Sequence, residues 1–229
     1  MNENQHLSSR FDAELDHLRT QVLHMGGMVE TQVAAALEAY DAGSPVSVNE
    51  IVMGDRAINA LEKIIDDDCA HLIARRQPTA SDLRLVLGVS KMVTDLERIG
   101  DEAKKVAKAV RRIHSGGHHP TQSSVNVRHL AEAALLLVRE ALDAFARLDT
   151  SLAHEVIKAD GNVDIEFKAI IRQLITHMME DPRAIGVSIE ILSIARAIER
   201  IGDHAKNVAE QVVYIVDGRD IRHLKEHSA

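Results

Sequence analysis

Two stretches of this chain are nearly the same. Glu-Arg-Ile-Gly-Asp-Glu-Ala-Lys-Lys-Val-Ala at 97–107 matches Glu-Arg-Ile-Gly-Asp-His-Ala-Lys-Asn-Val-Ala at 199–209 in nine of eleven positions, an offset of 102. Earlier, Ala36-Leu-Glu-Ala-Tyr40 answers Ala141-Leu-Asp-Ala-Phe145 at an offset of 105, and Asp55 and Asn59 answer Asp160 and Asp164 at the same offset. A net contraction of three residues between the two landmarks reconciles the offsets. A repeat of this length requires one supersecondary unit used twice.

The unit is helical. Val89, Met92, Leu96, Ile99, Ala103, Val106, Val110 and Ile113 alternate three and four apart, and Ile191, Ile194, Ile198, Ile201, Ala205, Val208, Val212 and Ile215 repeat that spacing. Apolar residues so spaced form one narrow coiled-coil seam on each helix. Aromatics are 2% of the chain and prolines number only four, at 45, 78, 120 and 182. Sandwiches and barrels need more of both, so the fold class is all-α.

Ser44-Pro45 and Asp181-Pro182 place a capping side chain before a proline at the first helical position. Asp82 puts an acid in the first turn of another helix. Gly43, Gly116-Gly117 and Gly218 mark helix ends. Six long helices follow, at about 9–42, 45–75, 80–114, 123–148, 151–180 and 182–216, each roughly 40–50 Å long at ~1.5 Å per residue. The predicted organisation is a first three-helix repeat over 1–115, a polar linker over 116–122, a second repeat over 123–217 and a tail over 218–229.

Charge and cysteine content narrow the function. With 27 basic against 35 acidic residues the net charge is −8, which disfavours nucleic acid, whose binding depends on basic side chains releasing counterions. Cys69 is the sole cysteine, so no intrachain disulfide framework exists. The opening residues Met1 to Leu15 lack a basic segment followed by an apolar one, unlike a secretory signal. The longest apolar run is Ala133 to Val138, too short to cross a bilayer. The expectation is a cytoplasmic protein.

Four carboxylates stand out. Glu97 and Asp101, like Glu199 and Asp203, are four apart and share a helix face. On the heptad they take b and f columns, opposite the seam, so a clear solvated face is expected. Like charges so placed repel by ~0.2–0.5 kcal/mol on an isolated helix. The simplest reading is a soluble surface with Asp101 relieved by Lys105, but Lys105 becomes Asn207 in the second copy while both acids persist. Gly100 and Gly202 are embedded in the same helices at a cost of ~1 kcal/mol each, which suggests close approach by a backbone or a ligand. Clustered carboxylate oxygens suit hard cations. Asp55 with Asn59, and Asp160 with Asp164, can face these pairs across a helical hairpin, the neutral Asn59 being the poorer ligand.

Other motifs carry less. His114, His118 and His119 lie in the linker and His223 and His227 in the tail. A ferritin-like di-iron centre needs two Glu-x-x-His pairs on core helices; Glu3/His6 and Glu14/His17 sit at the chain start and do not recur. Arg98 and Arg200 are expected to pair with acids, and Gly26-Gly27 to permit close packing or a bend. No phosphate-binding glycine loop, nucleophile–base arrangement or zinc quartet is present.

Thr94-Asp-Leu-Glu-Arg-Ile-Gly-Asp101 and Ala195 to Ala209 resemble the two signature segments of the PhoU family. Phe11-Asp-Ala-Glu-Leu15, the turn Gln77 to Arg84, and Gly218-Arg-Asp-Ile-Arg-His223 are similar to it as well. The resemblance implies tandem three-helix bundles binding multinuclear metal clusters (Fe, Mn, Mg or Zn). Residue by residue, it carries the metal motif onto Glu97, Asp101, Glu199 and Asp203, and a companion motif onto Asp55, Asp160 and Asp164; Asn59 departs from the acid expected there. It also implies a non-enzymatic negative regulator of the phosphate regulon and of phosphate uptake. Such a protein acts between the Pst phosphate ABC transporter and the phosphate-sensing histidine kinase, reaching the membrane through protein partners only. A homodimer or larger homo-oligomer is expected, also because Leu135, Leu136 and Leu137 face more than one direction. The residues themselves leave two alternatives open: a carboxylate-bridged metal-dependent enzyme, and a structural adaptor without metal.

Overall fold

A computed structural model describes residues 3–42, 46–116 and 126–222, with side chains from residue 10 in the first segment and 49 in the second. The elements are α1 (Glu3–Ala42), α2 (Val46–Arg76), α3 (Ala80–Ser115), α4 (Arg128–Arg147), α5 (Thr150–Glu180) and α6 (Ile185–Asp217), with a 3-10 turn at Pro182–Ala184 before α6. Among the described residues there is no strand. The chain is a tandem duplication of a three-helix bundle, as the repeat predicts.

The helices of the second half start and stop for local reasons. Asp149 Oδ1 accepts hydrogen bonds from the amides of Ser151 and Leu152 and opens α5. Asp181 accepts from Arg183 N–H ahead of α6, the capping role its place before Pro182 implies. Gly218, with φ +72°, closes α6 in the left-handed conformation and donates to Tyr214 O. The structure differs at α4, which begins at Arg128 rather than 123. Asn126 Oδ1 accepts the Arg128 amide there, fixing the turn into the helix. At its other end Leu148 takes the left-handed conformation (φ 52°), and Asp149 N–H reaches back to Ala144 O; that is a Schellman closure without its usual glycine. The expected cap at Ser44-Pro45, the stop at Gly43 and most of the linker lie outside the described residues.

All sixteen seam residues are buried, from 0 to 6% exposed. The seam is wider than a coiled-coil stripe, however. In α3 the adjoining columns Val86, Val93, Gly100 and Ala107, and Gly88, Glu102 and Ala109, are buried too. The reason is position: α3 packs on α1, α2 and α6 at once, and α6 on α3, α4 and α5. The two central helices run antiparallel, with Gly88 against Ile215, Asp95 against His204 and Asn207, Glu102 against Arg200, and Arg112 against Glu190. Helices α1 and α4 meet antiparallel as well, through Gly26 against Leu142 and Glu30 paired with Arg139. Helices α2 and α5 flank the outside. Of the three consecutive leucines, Leu137 is buried, Leu135 half-buried and Leu136 52% exposed.

Candidate functional site

The α2–α3 hairpin turns at Gln77–Thr79 and lays the acids of α2 against those of α3. Asp55 is buried, 5% exposed, and its Oδ2 accepts from Lys104 Nζ at 2.7 Å. The same ammonium donates to Asp101 Oδ1 at 2.6 Å, so Lys104 bridges the two helices. Asp55 Oδ1 and Asn59 Oδ1 are buried without a hydrogen-bond partner. Glu97 is half-buried beside them; burial, then the charges of Asp101, Glu62 and Asp55, push its carboxyl above the usual range. Burial and the nearby Asp66 raise Glu62 likewise.

The second groove, between α5 and α6, repeats this plan with changes. Asp160 is also 5% exposed and accepts from Lys206 Nζ at 3.1 Å. Glu199 Oε1 accepts from Arg196 at 3.1 Å while Oε2 is buried and unpartnered. The Arg196 guanidinium stacks over Phe167, 4.9 Å from the ring centre. Asp203 reaches solvent at the rim, but the surrounding protein and the charges of Asp160 and Asp164 still raise its pKa. Burial opposes the charge of both lysines, yet their hydrogen bonds and the charges of the surrounding acids together outweigh it and hold Lys104 and Lys206 above the ordinary value.

The acids do not form one open solvated face: Glu97, Asp101 and Glu199 are half-buried and Asp55 and Asp160 buried, because α2 and α5 pack beside them, while Asp203 stays exposed. Asp101 pairs with Lys104 at i+3, whereas Lys105 points away to Glu102 at 2.8 Å. Asn207, the counterpart of Lys105, donates to Asp95 across the two halves. Loss of Lys105 therefore says nothing of the groove, whose lysine is present in both copies. Arg200 does pair with an acid, Glu102 of the other half, at 3.3 Å. What approaches Gly100 is side chain, not backbone: a Cβ there would stand 3.4 Å from Ile58 Cδ1. On Gly202 it would stand 3.3 Å from Val163 Cγ1 and 3.4 Å from Asp160 Oδ1. Glu14 is held in a bidentate pair with Arg76 and is not free for a Glu-x-x-His site.

Sequence reasoning missed Lys104, Lys206, Gln32, Glu62 and Arg196. The lysines were recoverable, since both fall inside the eleven-residue identity. Gln32 donates to Gly100 O at 3.2 Å from the back of the first groove, where the second copy has Leu137, and nothing in the pattern singles it out.

The donor set fits a hard cation. It consists of carboxylate and amide oxygens, of which Asp55 Oδ1 and Asn59 Oδ1 in the first groove and Glu199 Oε2 in the second are buried and unpartnered. Among the described residues no three Asp, Glu, His or Cys side chains converge on one point; a lysine pairs with the buried aspartate of each groove.

Fold and grooves together define a class: an all-helical protein built from two copies of a three-helix unit, each copy with an oxygen-rich groove between its second and third helices. The chain belongs to the PhoU domain family, whose model matches residues 22–110 and 127–212. It is 49% identical over 222 residues to the phosphate-specific transport system accessory protein PhoU homolog of Pseudomonas aeruginosa, covering 96% of this chain and 90% of that one. The crystal structure of PhoU from Pseudomonas aeruginosa superposes with a TM-score of 0.88 at 47% identity, covering 91% and 100% of the two chains. That of the phosphate transport system regulatory protein PhoU from Streptococcus pneumoniae gives 0.83 at 28% identity, covering 92% and 98%.

Proposed function

We propose that this protein is an accessory regulator of phosphate-specific transport: a negative regulator of the phosphate regulon and of phosphate uptake. It docks between the Pst phosphate ABC transporter and the phosphate-sensing histidine kinase, in the cytoplasm, and performs no catalysis of its own. The observation that carries the reading is near-complete coverage by relatives named for that transport system, with the signature acids in place in both halves. No helix among the described residues is long and apolar enough to cross a membrane, which fits attachment through protein partners.

In the same reading each groove holds a metal cluster. Asp55, Asn59, Glu97 and Asp101 supply oxygens in the first, and Asp160, Asp164, Glu199 and Asp203 in the second. The metal would supply positive charge that offsets the crowded carboxylates and ties α2 to α3, or α5 to α6. A homodimer or larger assembly is part of the proposal, supported by exposed aliphatic side chains such as Leu136, Ile165 and Ile189.

Deleting the gene tests regulation. Phosphate-starvation genes should then stay on in high phosphate, and normal shut-off in the deletion strain would overturn the assignment. Elemental analysis of the purified protein tests the metal, and light scattering at micromolar concentration tests the assembly.

A further inference from the structure

Both grooves are already closed by a cation that belongs to the chain. Lys104 lies seven residues after Glu97 and Lys206 seven after Glu199, one heptad on, which places each lysine in the column that faces the outer helix. Lys104 Nζ sits within 2.7 Å of an acid on α2 and 2.6 Å of an acid on α3, and Lys206 reaches Asp160 on α5 at 3.1 Å. An ammonium supplies one charge and three donors, which here meet two carboxylate oxygens in the first groove and one in the second. It leaves Asp55 Oδ1, Asn59 Oδ1 and Glu199 Oε2 buried and unpartnered. One positive charge is therefore too little for groups that an ion of higher charge and coordination number would satisfy.

We infer that Lys104 and Lys206 are resident counter-ions that a divalent cation must displace, so that each groove has two closed states, one held by lysine and one by metal. This rests on the metal reading above. The lysine state keeps the buried Asp55 and Asp160 paired and the hairpins closed when metal is scarce. Displacement breaks the ammonium–carboxylate bonds and swings a charged side chain out to solvent. The flanking lysine of the first copy is unsuited to the role, since Lys105 faces Glu102 instead. The lysines thus set the cation concentration at which the grooves load, and loading changes the charge displayed beside them.

The test uses the full chain and Mn2+. In Lys104→Met/Lys206→Met, whose side chains keep length and helix propensity, calorimetric titration should show Mn2+ binding about ten- to hundredfold tighter than wild type, because no charged hydrogen bond has to be broken first. The metal-free variant should melt lower than wild type and recover with Mn2+. Lys104→Arg/Lys206→Arg should return affinity toward wild type. In the wild type, Mn2+ should increase acetylation of Lys104 and Lys206 by an amine-reactive reagent, read by mass spectrometry, and leave the exposed Lys105 unchanged. Equal or weaker binding by the methionine variant, or no change in labelling while Mn2+ binds, would overturn the displacement. Failure of both wild type and variant to bind Mn2+ would overturn the metal reading itself.

Discussion

Gly26 and Gly27 are neighbours in α1 with opposite surroundings. A Cβ on Gly26 would overlap the Leu142 side chain, itself nearly buried, whereas one on Gly27 meets nothing within 4 Å. Glycine inside a helix costs about 0.5–1 kcal/mol relative to alanine, so Gly27→Ala should stabilise the protein by about that amount in a urea melt. Gly26→Ala gains the same propensity but must displace the packed Leu142 side chain, and overpacking of this kind costs about 1–3 kcal/mol; the net effect should be a loss. Only Gly26 therefore answers the packing role that the sequence suggests for the pair. The lysines of the grooves teach a related lesson. Spacing on an isolated helix offers Asp101 a partner at i+4, Lys105, but the real partner is Lys104. The choice depends on which column faces α2, and that is tertiary information. Site acids were legible because duplication repeats them; their partial burial was not, because a heptad diagram of one helix knows nothing of the helix laid across it. Asp101→Ala/Asp203→Ala should stay helical yet lose the Mn2+-dependent rise in melting temperature, a comparison made by circular dichroism with Mn2+ and with chelator.

At the scale of elements, the α4–α5 junction shows how much rests on a single side chain. The turn has no glycine, and Leu148 occupies a left-handed position that non-glycine residues enter at a cost. Asp149 offsets this by accepting two amide hydrogen bonds at the start of α5. Asp149→Ala should destabilise the protein by about 1 kcal/mol, measured by chemical denaturation, while Asp149→Asn should largely preserve it. The sequence places a helix boundary here only to within a residue or two, for want of a glycine or proline to announce it. Where such punctuation exists the outcome divides: the stop at Gly218 is where it was expected, whereas Asp181-Pro182 opens a 3-10 turn and α6 itself starts three residues later, at Ile185. The seams of α3 and α6 were legible as well, because every residue in them is buried. Their width was not. The flanking columns hold Gly88, Gly100, Ala107 and Ala109, small residues that read as neutral in a hydrophobic pattern yet are what allow three neighbours to pack around one helix.

For the whole molecule the question is whether two repeats make two unfolding units or one. The halves share the antiparallel α3–α6 pair, whose contacts are part of the core rather than a rim. Gly88 receives Ile215, with Cδ1 only 2.6 Å from where a Cβ would stand, and His204 and Asn207 both bond Asp95. Neither half could retain its buried central helix without the other, so heat should melt the chain in one transition with calorimetric and van't Hoff enthalpies in agreement. Metal then offers a sharper test, because each groove belongs to one half. If a cation binds only the folded groove, each occupied site adds RT ln(1 + [L]/Kd), about 2.7 kcal/mol at a hundredfold excess over Kd. In one cooperative unit, ligand bound in the second groove also stabilises the first half. Asp101→Ala alone should then reduce the Mn2+-dependent stabilisation to roughly what the second site supplies, with the melt remaining a single transition. Two separated transitions, only the later one moving with Mn2+, would show instead that the repeats unfold independently.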